Sequence, residues 1–467
     1  MVFFTLQFFV FLALTLLLFH LKWTRSLRKW ILFAASIVFY AAIGKWCLLW
    51  VAASAATVYC CARINTKPSF YIGLFFPLTV CLVFKYTPFV YDSFAALLGA
   101  GEWTLKWLLP VGISFYTFRL ISYLVDVRKG VIESEQDPFY FFTYAAFFPL
   151  LLCGPIQRAG DFLPRIKAPD ELDLARFDRG LRQILWGVLK KAVLADNLAV
   201  LVNETFSGCA EKSGFVFILA VLCYTVQIYC DFSGYSDMAI GITRLFGIDL
   251  KENFRVPYCS TTIKEFWSRW HISLSTWFRD YVYFPLGGGR RGKARRALNV
   301  MVTFLLSGLW HGANWTFLLW GGLHGAGLVL EKAFFGNEGP RTAVTKFLWT
   351  VFVAALVVFG WLFFRADSIS QACFMLTNAF RGMTDSSYLV QGFRDLLGGE
   401  RGIVFLIQLI LPAAFIFVFE HVFRNRDPWT STGQKNKFMT VAFYFLTVIM
   451  IVLFHAGEQQ ELIYGAF

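Results

Sequence analysis

Two histidines and an asparagine, His311, Asn314 and His324, sit in a run otherwise built from Leu, Phe, Trp and Gly between Leu305 and Ala326. A lipid-facing helix has no use for imidazole, because a polar group in hydrocarbon costs free energy unless something there engages it. The chemistry open to such a residue is proton transfer, since a neutral imidazole can accept a proton near neutral pH and serve as a general base. The plainer alternative is a hydrogen bond to a neighbouring helix. Asn314 could orient an acyl carbonyl or stabilise an oxyanion, and could equally cap a helix. Gly308, Gly312, Gly321, Gly322, Gly325 and Gly327 crowd the same stretch. Such small residues permit close backbone approach or leave room for a substrate chain.

Spacing separates the two histidines. A helix leaving the basic loop at Ala297 reaches His311 after about 14 residues, or roughly 21 Å. Gly312-Ala313-Asn314 can then turn the chain. His324 follows about ten residues down the returning limb, roughly 15 Å from the turn and near the midplane of a ~30 Å hydrocarbon core. As one continuous helix the stretch would hold them about 20 Å apart. Neither geometry makes a touching dyad. His311 is expected near the outer mouth and His324 deeper, as the stronger candidate for catalysis.

The elements that must carry these residues are membrane helices. Of 467 residues, 57% are hydrophobic and only 16% charged, against about 25% charged in a typical soluble domain. The 43 Lys+Arg and 30 Asp+Glu leave a net +13, which in a membrane protein reflects orientation by the positive-inside rule rather than nucleic-acid binding. Ten cysteines fall mostly within apolar runs, without CxxC pairs or metal-ligand spacing, so neither disulfides nor a metal site is expected.

About eleven crossings are expected, each of about 20 apolar residues. They are Val2–His20, Trp30–Ile43, Trp46–Ala62, Phe70–Leu98, Trp107–Val125, Phe215–Tyr229, the two histidine limbs, Lys346–Phe364, Ile403–Phe419 and Phe438–Phe454. The first is read as a retained span rather than a signal peptide. Lys85 falls within the fourth and is expected to face a polar interior. Basic loops at Lys22–Lys29, Arg290–Arg296 and Arg424–Lys437 place both termini outside. Phe139–Cys153 is flanked by basic residues on both sides, including Arg182, Lys190 and Lys191, and is read as re-entrant. Asp231 and Asp237 follow an apolar helix, where they would cap a next helix, Met238–Phe246, or line an aqueous pocket. Glu252–Gly289 is rich in Trp, Tyr and Arg, and is expected to form helices lying at the interface, where Arg269 and His271 could bind a ligand. Without repeats or long linkers, residues 1–467 read as a single membrane domain.

Several stretches together resemble the membrane-bound O-acyltransferase family, in its bacterial alginate O-acetyltransferase branch. They are Trp310-His-Gly-Ala-Asn-Trp-Thr-Phe317, Leu323-His-Gly325, Leu109–Phe118, Gly154-Pro-Ile-Gln-Arg158, Asp231-Phe-Ser-Gly-Tyr-Ser-Asp-Met238, Phe266–Ser275 and Phe278–Gly287. The resemblance implies an all-α polytopic fold, a ring of helices around a thin partition crossed by a tunnel. It implies transfer of an acetyl group from cytoplasmic acetyl-CoA, a substrate and not a bound cofactor, across a bacterial inner membrane to an extracytoplasmic polysaccharide. A periplasmic partner of the serine-hydrolase-like acetyltransferase type would receive the group. His324 would be the catalytic base and His311 its accessory, with Asn314, Asp231, Arg269 and His271 positioning the acyl group or substrate. Arg119 departs from the family pattern, standing where a glutamine is expected. The rival reading from another class is a polysaccharide or lipid-linked sugar transporter with the histidines lining its path. It would leave paired, similarly broken helices in two halves, and no such pairing is present.

Overall fold

The computed structural model describes residues 5–99, 101, 103, 109–151, 154–212, 214–336, 339–340, 342–386, 388–390, 392, 402–424, 429, 437–457, 460 and 462–463. Val2, Trp107, Cys153, Arg426 and Lys435 from the expected spans and loops, and the stretch 393–401 of the outer segment, lie outside them. Among the described residues the chain forms eighteen α-helices and no strand. In order they are α1 (Leu6–His20), α2 (Arg28–Ile43), α3 (Lys45–Ile64), α4 (Lys67–Leu98), α5 (Ile113–Arg128), α6 (Pro138–Ala146), α7 (Ala159–Lys167), α8 (Leu174–Val188) and α9 (Asp196–Ser207). There follow α10 (Phe215–Leu245), α11 (Ile263–Arg269), α12 (Ile272–Phe278), α13 (Gly292–His311), α14 (Trp315–Phe335), α15 (Ala343–Arg365), α16 (Ile369–Asn378), α17 (Gly402–Val422) and α18 (Lys437–Phe454).

Among the described residues six helical segments are long and apolar enough to cross a membrane: Lys22–Ile43, Lys45–Ile64, Lys67–Leu98, Phe215–Leu245, Ala343–Arg365 and Lys437–Phe454. Leu6–His20 and Leu406–Val422 are shorter apolar helices. The three other expected crossings correspond to α5, α13 and α14, which carry Arg119, a basic first turn and the histidine-glycine run respectively. The protein is therefore an all-α polytopic membrane protein.

The contacts divide into two compact units, one holding residues up to Ile184 with Ala239–Lys251, the other Leu185–Met238 with the chain from Glu252 onward. In the first unit Thr66 and Ser69 form a capping box that starts α4 directly after α3, satisfying N–H groups that no helical carbonyl can reach. Lys85 is buried, and its Nζ donates to Ser114 Oγ at 3.5 Å. The segment expected to re-enter contains α6, whose nine residues span only about 14 Å and are too short to cross. Arg119 is buried against it and donates to the carbonyls of Tyr144 (3.1 Å) and Leu150 (3.4 Å). The Arg119 cation thus holds this irregular backbone in place.

Two expectations are corrected in the chain around α8 and α10. Helix α10 does not stop at Cys230; it runs unbroken through Asp231 and Asp237, so neither caps a new helix. Lys190 and Lys191, counted among the basic residues flanking the re-entrant segment, do not lie at the surface. They lie in a π-helical turn, Leu189–Ala195, with their side chains 3% and 1% exposed. One fact explains both. Lys191 Nζ pairs with Asp231 (2.6 Å) and Asp196 (2.8 Å), while Lys190 Nζ pairs with Asp237 (3.0 Å) and Glu420 (2.5 Å). Charges matched in this way no longer need water, so the helix continues. Arg182, the other of those flanking residues, is also buried and pairs with Asp178 one turn earlier, at 2.6 Å.

Candidate active site

The second unit carries every candidate residue. Helix α13 ends at His311 and α14 begins at Trp315, so the chain turns at Gly312–Asn314, as the first of the two expected geometries requires. Asn314 makes that turn. Its Oδ1 accepts from the Thr316 N–H at 3.0 Å, and its Nδ2 donates to the Asp367 carbonyl at 2.8 Å. The amide caps α14, fulfilling the alternative weighed for it in the sequence.

The hairpin brings the histidines closer than counting along its limbs suggests. The Trp320 ring centroid lies 4.9 Å from that of His311 and 5.0 Å from that of His324, so the two imidazoles are less than about 10 Å apart. The row extends beyond them. Trp310 packs 4.8 Å from His311 and 5.9 Å from His271. Three imidazoles and two indoles therefore alternate in the order His271, Trp310, His311, Trp320, His324, all of them buried.

His324 occupies the end of this row inside an aromatic box. Phe266 stacks on it with centroids 6.1 Å apart at 9°, while Trp267 meets it edge-on at 5.1 Å. The residue is fully buried, yet neither ring nitrogen has a hydrogen-bond partner among the described residues. Buried polar atoms are almost always satisfied, and an exception calls for an explanation such as a catalytic role. His271 differs: its Nδ1 lies 3.3 Å from Asn253 Oδ1, its ring meets Phe232 at 4.6 Å, and it starts α12 with φ 43°. That left-handed backbone is uncommon in any residue but glycine and marks a position the surroundings enforce.

The other two candidates are engaged elsewhere. The Asp231 carboxylate is taken by Lys191 and by the Ile463 N–H at 2.9 Å. Arg269 pairs with Glu265 at 2.8 Å. Burial pushes the Glu265 carboxyl up, but the Thr261 N–H and hydroxyl and the Arg269 and Arg424 guanidiniums outweigh it and hold the group below the usual carboxylate range.

Residues 131–366, which enclose the histidine row and its box, match the membrane-bound O-acyltransferase family model. The chain belongs to that family. Among its relatives, the probable alginate O-acetylase AlgI of Azotobacter vinelandii is 38% identical over 80% of this chain and 76% of its own length. The peptidoglycan O-acetyltransferase of Helicobacter pylori is 33% identical over 94% of this chain and 91% of that protein. The teichoic acid D-alanyltransferase of Streptococcus thermophilus is 33% identical over a shorter stretch, 49% of this chain and 58% of that one. The protein is an O-acyltransferase.

Two contributors to this acyltransferase's site escaped the sequence reading. Gly360 on α15 faces the imidazole, and a Cβ there would stand 3.0 Å from His324 Nε2 and 3.3 Å from Trp320 Cδ1. Alanine is the better helix former by about 1 kcal/mol, so Gly360→Ala should not unfold the protein. It should instead displace the ring by a few tenths of an ångström and slow transfer about ten- to a hundredfold. A wild-type rate in a correctly folded Gly360→Ala preparation would show that Nε2 does not face the reacting atoms. The second is Glu331, which follows the apolar run of α14 and is buried in the structure. It stands seven residues after His324, a spacing that shares a helix face, which was the one signal available.

Proposed function

We propose that this acyltransferase moves an acetyl group from cytoplasmic acetyl-CoA to a hydroxyl of a cell-envelope glycan outside the bacterial inner membrane. Residues 1–467 would act as one acyltransferase domain with both termini outside, handing the group to a periplasmic serine-hydrolase-like acetyltransferase. The names of the alginate and peptidoglycan relatives support both the acetyl group and the glycan. The observation that carries the site assignment is His324, fully buried in an aromatic box with neither ring nitrogen hydrogen-bonded among the described residues.

In this reading His324 takes the proton of the acceptor hydroxyl as its oxygen attacks the thioester carbon. The carbon–sulfur bond then breaks, and the proton passes to the sulfur, releasing the CoA thiol beside an oxygen ester. His311, sharing Trp320 with the base, helps to hold the acyl group, and Asn314 serves by fixing the turn between the two helices. His271 and Arg269 anchor the short helices beside the row, and Asp231 anchors α10.

The test uses the full chain in lipid vesicles. Labelled acetyl-CoA is supplied on one face and a glycan fragment, with or without the hydrolase-like partner, on the other. The expected result is one CoA thiol released on the donor face for each acetyl ester formed on the opposite face. Glycan carried across without any CoA release would sink the proposal in favour of transport.

A further inference from the structure

The Glu331 carboxylate accepts three N–H groups, from the main chain of Ile263 (2.6 Å) and Lys264 (3.1 Å) and from the indole of Trp349 (2.9 Å). Ile263 and Lys264 are the first residues of α11, where N–H groups have no partner within the helix. Thr262 satisfies the next one, accepting from the Glu265 N–H at 3.0 Å. Between Glu331 and His324 lies Gly327, where a Cβ would come within 2.8 Å of Ile263 Cδ1. Helix α11 therefore seats directly on α14 at its start. Three and four residues along, it presents Phe266 and Trp267 to the His324 ring. A seven-residue helix has too few internal hydrogen bonds to hold its own place, so these external bonds fix where its aromatic rings stand.

We infer that Glu331 is a positioning residue for the reaction: by anchoring the start of α11 it sets the two rings that fix the plane of the His324 imidazole. This rests on the reading of His324 as the base. Glu331 itself touches no reacting atom. The amide of Glu331→Gln keeps the side chain's size but only one accepting oxygen, and its NH2 would face an N–H that now has no acceptor.

In vesicles, Glu331→Gln should lower kcat about tenfold, with KM for acetyl-CoA changed by less than about twofold, because misplacement of a catalytic group acts on rate more than on binding. Changing the box around the imidazole should also move the midpoint of the pH–rate profile, which loss of folded protein alone would not do. In a Phe266→Leu background the same substitution should cost clearly less than the tenfold it costs alone, since one of the two rings it positions is already gone. Losses that multiply fully in the double variant, a rise in KM with kcat unchanged, or an unmoved pH profile would each overturn the inference. Glu331→Ala should be slower still, and Glu331→Gln decides the matter if the alanine variant does not fold. His324→Phe separates the two readings. If it stays active, the base assignment fails; if it is dead while Glu331→Gln matches the wild type, only the role of Glu331 fails.

Discussion

Replacing His324 by phenylalanine should leave a folded membrane protein whose acetyl transfer is reduced about 10²- to 10⁴-fold, the range expected for loss of a general base. The separation of fold from activity follows from the surroundings of the ring. Among the described residues His324 makes no hydrogen bond through either nitrogen, so the substitution breaks none of those present. Its contacts are the faces and edges of Phe266, Trp267 and Trp320, which a phenyl ring can also fill. Alanine is the harsher change, because it opens a cavity among those rings at a cost of several kcal/mol. Labelled acetyl transfer in vesicles, normalised to the monodisperse protein recovered, checks the outcome. More than about a tenth of the wild-type rate in His324→Phe is incompatible with a base at this position.

Lys191→Met should have the largest effect on stability. The ammonium lies between Asp231 and Asp196, with its side chain 1% exposed and theirs 3% and 4%. Removing it leaves two buried carboxylates facing each other without a cation, and breaking a buried pair from one side costs about 3–5 kcal/mol. The loss should appear as a lowered midpoint of thermal unfolding in detergent. Adding Asp231→Asn and Asp196→Asn should recover much of it, because a neutral, hydrogen-bonding cluster avoids the stranded charge. A single variant as stable as the wild type would mean that the network contributes nothing to the fold.

Both the turn and the burial of charge bear on what the sequence could reveal. Gly312-Ala313-Asn314 was legible as the corner of a hairpin because its chemistry is local: an asparagine offers the first helical N–H groups an oxygen that no distant residue need supply. Lys190, Lys191, Asp231 and Asp237 were misread because a hydropathy pattern scores each charge as if water were its only partner. Most of their partners lie far away in sequence, Asp231 opposite Lys191 and Glu420 opposite Lys190, and nothing in either segment alone announces the match. Glu331 hid for the same reason, its partners Ile263 and Lys264 lying in another segment. The distance between the histidines failed differently. Counting the rise along two limbs tracks the backbone, whereas His311 meets across the hairpin the indole of Trp320, which stands one turn before His324 on α14.

The hairpin itself limits how this acyltransferase can be redesigned. A Cβ on Gly308 would stand 2.2 Å from the carbonyl oxygen of Phe317, and one on Gly321 would stand 2.3 Å from that of Phe304. With main chain against main chain, the two limbs cannot slide past each other without colliding, and parting them would give up that close packing. They carry His311 and His324 as a fixed jig, and a bulkier acyl donor cannot be accommodated by parting them. Selection for longer acyl chains should therefore leave α13 and α14 untouched and accumulate smaller side chains at Phe266, Trp267 and Phe364, on the helices that face the jig.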